Sequence, residues 1–482
     1  MVKIRQLTFM RQNSNNLNHQ DKINANYWRI LLVSIVFASI NLTSFAQLPT
    51  AQQISSKMKI GCNLGNTLEA ICSESAWGAG KTSQRVIDSI KAAGFNTIRI
   101  PCAWFCHSDT MTNIIDEEWM ARVKEVVDYC INDSLYTILN IHWDNGWLDE
   151  HINVKDSARI NKRQYDYWSQ IAECFKDYDE HLLFAGSNEP PAKDASQMSV
   201  LLGYHQTFID AVRATGGNNS SRTLIVQGPS TDIDLTNKLM NTMPKDQLAD
   251  RLMLEIHYYT PYQFCLMEKD ANWGKVFYYW GKNNHSKTDV SRNSTWGEES
   301  DMDKYFGMMK TKFVDKGIPV IIGEYGAYKR KLSSPSDQKL HDASVEFFHR
   351  YLIKSATSKG ITPYLWDTPG GLFNRSTGAV RDRGVLNAIM QVPVTSTEIG
   401  KIDNGSTELY PNPFSSSITL NNLEPFDIVR ISVYDTVGKL FETVEKSAIK
   451  ETTYIGASLQ PGIYIVKVDK NNGTESYKVI KN

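Results

Sequence analysis

The chain carries no excess of charge: 52 Lys and Arg stand against 53 Asp and Glu in 482 residues. That balance excludes the basic footprint by which proteins hold nucleic acid or an anionic membrane. Long apolar runs are also missing. Ile30 to Ile40 is too short to cross a bilayer as a helix, so no membrane span is expected in the mature protein. No Gly-rich phosphate loop follows the first predicted strand, which removes the main support for an open dinucleotide-binding sheet. Cysteine is scarce and odd in number, with seven residues that all precede position 266. Complete internal pairing is therefore impossible, and no C-x-x-C finds a second one with which to hold zinc. Cys102 and Cys106 are close enough in sequence to pair in an oxidising compartment. The others sit mostly among apolar residues and read as buried thiols.

Rings, by contrast, are plentiful, with 11 Trp and 22 Tyr; most must serve core packing. Arg29, the apolar run after it and the small residues of Ser44-Phe45-Ala46 have the pattern of an export signal over 1–46. Nearly thirty residues precede the run, which a long basic leader and a later start codon explain equally well. From 57 to 390, eight short apolar runs begin near Met58, Thr97, Tyr136, Leu182, Thr223, Leu252, Pro319 and Thr362. Amphipathic stretches separate them, for example Thr82–Ala93 and Asp337–Ser358. Apolar strands alternating with helices pair in parallel and are buried on both faces. Eight such units predict a (β/α)8 TIM barrel over 47–390. Residues 391–407 lack periodicity and read as a linker. Period-two strands in 408–482 predict a small all-β sandwich.

In a barrel, chemistry gathers where the strands end. The first strand ends in Asn63, Asn66 and Glu69, and the second contains Arg99 among apolar residues. The third ends in His142 and Trp143, the fourth in Asn188 and Glu189, the sixth in His257 and Tyr259, the seventh in Glu324, and the eighth in Trp366. Two carboxyls facing each other across a barrel mouth suit glycoside cleavage. One attacks the anomeric carbon as an anion while the other holds a proton, and their spacing decides retention or inversion. Arg99 and Tyr259 are placed to hydrogen-bond Glu324, Asn188 to meet a sugar hydroxyl, and Trp366 to stack on a sugar. Singly, His142, His257 and Asn63 are also consistent, less readily, with satisfied network residues. Asn66 and Glu69 could cap the following segment, and Asp367 could serve packing.

The ordered set N-L-G-N-T-L-E-A, R-I-P-x-x-W, N-I-H-W, N-E-P, H-Y-Y, G-E-Y-G and the late Trp resembles glycoside hydrolase family five from about 60 to 370. The resemblance implies a retaining endo-β-1,4-glucanase with Glu189 as acid/base and Glu324 as nucleophile. Around them it implies a substrate-binding shell of Arg99, His142, Asn188, His257, Tyr259, Trp366, Trp143 and Asn66. Many family members carry a second histidine where this chain has Trp143. Mannan, xyloglucan and mixed-linkage glucan are the rival substrates; a non-catalytic sugar-binding barrel is a rival of another class. The long segment Tyr258–Asp301, crowded with rings, is expected to wall a polysaccharide cleft. Carboxyls and water suffice for the reaction, so no metal or organic cofactor is implied. Y-P-N-P-F, V-Y-D-T-V-G-K and L-Q-P-G-I-Y-I-V-K-V in 408–482 resemble the sorting domain of the type nine secretion system. The expected partners are a β-glucan and that secretion machinery; the mature protein is expected outside the cell, as a monomer.

Overall fold

The computed structural model describes residues 48–390, 408–421, 428–435, 438–445, 453–470 and 473–482. The expected leader and linker lie outside these. The chain divides into two compact units between Thr395 and Ser396.

In the first unit, eight strands close into a barrel: β1 (Gly61–Asn63), β2 (Thr97–Ile100), β3 (Tyr136–Asn140), β4 (Leu182–Ala185), β5 (Leu224–Gln227), β6 (Leu252–Tyr258), β7 (Val320–Tyr325) and β8 (Ile361–Leu365). Each pairs in parallel with its neighbours, and β1 closes on β8 through Gly61–Tyr364 and Cys62–Leu365. Helices α1 (Ala51–Lys57), α2 (Gln84–Ala92), α3 (Glu117–Asn132), α4 (Ser157–Cys174), α5 (Ala195–Ala214), α6 (Ile233–Leu239), α7 (Glu299–Lys312) and α8 (Pro335–Ser358) surround or close it, and α9 (Arg383–Met390) follows β8. The predicted (β/α)8 barrel is the observed fold.

Period-two alternation divides strands β3 to β8 between two cores. Leu182, Phe184, Leu224, Val226, Leu254, Ile256, Val320 and Ile322 join the shell of helices. Ile138, Leu183, Ile225, Met253 and Ile321 share an inner core with Ala51, Ile54 and Met58. The α1 segment therefore closes the N-terminal end of the barrel like a floor. Its start is set by a capping box: Gln53 N donates to Thr50 Oγ1, and Thr50 N donates to Gln53 Oε1 at 2.8 Å. Above this apolar layer the inward positions turn polar, with Arg99, Asn140, Gln227, Glu255 and His257 all buried.

Cys72, not Cys102, is the partner of Cys106, with Cα atoms 5.0 Å apart. Cys102 follows β2 directly and is swallowed by the core between barrel and helices. Cys106 lies on the next 3-10 turn, Phe105–His107, facing the loop after β1. Cys62, Cys130 and Cys265 are buried thiols as expected.

The second unit holds β9 (Glu408–Tyr410), β10 (Ile418–Asn421), β11 (Ile428–Asp435), β12 (Leu440–Glu445), β13 (Thr453–Ile455), β14 (Gly462–Lys470) and β15 (Gly473–Lys481). A sheet ordered β9-β10-β13 and one ordered β12-β11-β14-β15 share a single core that includes Ile418, Leu420, Ile431, Val433 and Val466. This is the predicted all-β sandwich.

Candidate active site

Glu324 reaches the barrel interior because β7 is bulged. The register against β6 pairs Ile256 with Ile322 but His257 with Glu324, so Gly323 is the extra residue. Arg99 Nη1 donates to Glu324 Oε1 at 2.9 Å and Tyr259 Oη donates to Oε2 at 3.1 Å. His142 Nε2 stands 4.0 Å from Oε1. Asn140 accepts from Cys102 N at 3.1 Å, which leaves its Nδ2 facing His142 Nδ1 at 3.2 Å. His142 is thus the tautomer that presents Nε2–H to the cavity. Burial, with the charges of Arg99 and His257, holds its pKa well below the usual value. Its ring stacks on Trp366, centroids 5.7 Å apart.

Glu189 projects from the end of β4, its side chain 45% exposed where that of Glu324 is 8% exposed. Asn188 accepts from Arg99 Nη2 at 2.8 Å, so its amide nitrogen is the end left to donate. His257 Nδ1 donates to Glu189 Oε1 at 2.7 Å and lies 3.7 Å from Glu324 Oε2. One oxygen of Glu189 and one of Glu324 lie within 4.8 Å of each other. Burial opposes a charge on His257, yet Glu324, Glu189 and Glu255 outweigh it and push the ring up to about 9. Burial raises Glu189 too, but the hydrogen bond and charge of His257, with Arg99, bring it below its usual value. Burial, Glu189 and Glu255 leave Glu324 raised against the pull of His257 and Arg99. These shifts favour a proton on His257, one hydrogen bond from Glu189.

A cavity of about 420 Å³ opens over this pair, with Trp77, Trp143 and Trp366 among its walls. Trp143 is 41% and Trp77 45% exposed. Asn66 does not line it. That residue takes φ 59 in a turn whose amide donates to Glu69, and Glu69 is the one at the cavity wall. Burial pushes Glu69 up to about 7. The segment after β6 does not line this cavity. Phe264 and Trp280 are buried against Phe348 of α8, while Tyr262, Trp273 and Trp296 are exposed and are not among its lining residues. Sequence reasoning missed Trp77, hidden in a loop without periodicity, and Asp149, three residues beyond the W-D-N-G turn. It also missed Glu255, although a charge inside L-M-L-E-I is the same signal that singled out Arg99.

Comparison with known proteins agrees with this geometry. Residues 60–370 match the family model described as cellulase, glycosyl hydrolase family 5, and residues 408–482 match the secretion system C-terminal sorting domain. A xyloglucan-specific endo-β-1,4-glucanase of Bacteroides ovatus is 36% identical over 366 residues, 71% of this chain and 70% of that protein. Endoglucanase A of Paenibacillus barcinonensis is 33% identical over 379 residues, 71% of this chain and 90% of that protein. A crystal structure of a xyloglucan-specific β-1,4-glucanase from a ruminal metagenomic library, in complex with XXLG, superposes with a TM-score of 0.66. It shows 42% identity and covers 75% of this chain and 100% of that one. On this correspondence of sequence and fold, the chain belongs to the cellulases of glycosyl hydrolase family 5.

Proposed function

We propose that the barrel is a retaining endo-β-1,4-glucanase working by double displacement, exported through its C-terminal sorting unit to act outside the cell. The observation that carries the mechanism is the approach of the two carboxyls to within 4.8 Å. That spacing suits retention, which needs about 5–5.5 Å, and leaves no room for the water an inverting pair must hold. Glu324 attacks the anomeric carbon while the bond to the leaving oxygen breaks, and that oxygen takes the proton delivered by Glu189. Water then attacks the same carbon and gives its proton to Glu189 as the bond to Glu324 breaks. Arg99 and Tyr259 favour the charge on Glu324 as leaving carboxylate, Asn188 offers its amide to a sugar hydroxyl, and Trp366 gives a stacking face.

The test is the anomer formed with azide. Glu189→Ala, given an aryl glycoside whose leaving group needs no proton, should accumulate the intermediate and yield a β-glycosyl azide. Glu324→Ala should yield only the α-azide. The reverse pattern would exchange the two roles. A xyloglucan backbone is the second reading, favoured by the names of the Bacteroides and ruminal relatives. Initial rates on xyloglucan, mixed-linkage glucan, mannan and carboxymethylcellulose decide between them.

A further inference from the structure

Beneath the two carboxyls lies a third acid that this chemistry does not use. Glu255 projects inward from β6 and is fully buried. Its Oε1 is 2.9 Å from Arg99 Nε and accepts from His257 Nε2 at 3.2 Å. Its Oε2 accepts from Gln227 Nε2 at 2.7 Å. Gln227 cannot turn its amide round, because its Oε1 accepts from Ser187 N at 3.0 Å and from Ser187 Oγ at 2.9 Å. Gly323 makes the room: a Cβ there would stand 1.9 Å from Glu255 Oε1.

One oxygen of Glu255 thus touches two cations, and each cation holds one of the reacting acids. Arg99 continues to Glu324 and Asn188, and His257 continues to Glu189. We propose that Glu255 is a positioning residue that keeps His257 doubly protonated as the proton store for Glu189 and fixes the Arg99 fork on Glu324. This inference rests on the roles proposed for Glu189 and Glu324. With an acid at each ring nitrogen, His257 donates on both sides, a state only the imidazolium can take. The charged and titratable groups around it are Glu189 from the end of β4, Glu324 and Tyr259 at the mouth, Arg99 from β2, neutral His142 after β3 and Tyr364 of β8 below Glu255. Three carboxylates face two cations, so deprotonating His257 would leave two excess negative charges in a buried layer. The value of about 9 for His257 is in keeping with this count.

The experiment is the pH dependence of kcat/KM on a cello-oligosaccharide, whose leaving oxygen needs a proton, for the parent and Glu255→Gln. Loss of an anion lowers the proton affinity of the His257–Glu189 pair, so the alkaline limb should move to lower pH by about one unit or more. Activity should then fall at least about tenfold more near pH 8.5 than near pH 5.5. A limb at the parent's position, whether the height falls or not, would reduce Glu255 to packing and overturn the proposal. Should the variant not fold, the unmutated protein still answers. Nitrogen-15 imidazole spectra, with His257 assigned by its loss in His257→Asn, should show both ring nitrogens protonated near pH 7.5, and a neutral ring would overturn the proposal. Failure of the underlying roles would appear separately, in the azide products of Glu189→Ala and Glu324→Ala.

Discussion

Asp149 lines the cavity beside Glu189, and burial, joined by Glu189, Asp144 and Glu150, pushes it up to about 8. In the unfolded chain the same carboxyl releases its proton near pH 4. Between those values the folded protein keeps a proton that the unfolded chain has lost, so stability present below about pH 4 is lost as the pH rises to about 8. Asparagine resembles the protonated form and cannot ionise. Asp149→Asn should match the parent near pH 4 and exceed it near pH 8 by on the order of 1–3 kcal/mol, as read by urea unfolding at both pH values. An equal difference at both would mean that Asp149 is ionised when folded. Tyr259 offers a second check on the same pair. Tyr259→Phe removes a donor to Glu324, so the acid limb of the rate profile should move upward and kcat should fall about ten- to hundredfold. An unmoved acid limb would separate Tyr259 from the ionisation of Glu324.

The bulge in β7 is the element on which the site turns. A plain strand would alternate Ile321 inward, Ile322 outward and Gly323 inward, leaving Glu324 outside; the extra residue returns it to the mouth. Gly323→Ala places a methyl group against Glu255 Oε1, in a carboxylate held in place by Arg99 and His257 on that oxygen and by Gln227 on the other. Activity should fall more than about a hundredfold and stability by about 1–3 kcal/mol, measured by initial rate and urea midpoint; near-parental values would mean that Glu255 can yield. The tie between the loops after β1 and β2 is of another kind. Cys72 and Cys106 are 34 residues apart, so Cys72→Ser should cost about 3–4 kcal/mol through the loop it frees. Most elements were legible: the apolar runs marked every barrel strand, and every strand but the fifth was read as carrying a residue of the site. The bulge was not, because G-E-Y reads as plain strand until its neighbours set the register. The disulfide was not, because Cys102 and Cys106 differ in burial, which adjacency does not disclose. Strand β12, L-F-E-T-V-E, is a sheet edge with alternate residues exposed, and an edge has too little apolar content to stand out from loop. The rings after β6 were visible, but whether a ring faces a sugar or α8 is decided by packing.

At the scale of the whole molecule, chemistry and export are assigned to separate units, each with its own core. Deleting 396–482 should leave the hydrolysis rate of the purified barrel within about twofold, since the residues lining the cavity all belong to the first unit, which has its own core, while delivery to the medium stops. Loss of intrinsic rate on truncation would count against that division. The apolar floor formed by α1 has a bearing on how the barrel comes together. Ala51 N donates to Asp250 O at 2.8 Å, and Gln52 reaches Gly317 across a sequence separation of 265. A segment at the start of the barrel thus finds its partners far along the chain. Contacts so distant in sequence bring the slow, late closure of high contact order. The seam between the first and last strands, with its floor, is then expected to form after the folding transition state. Ile54→Ala should accordingly speed unfolding and leave the folding rate nearly unchanged, so the barrel's lifetime is governed from the end opposite to its chemistry.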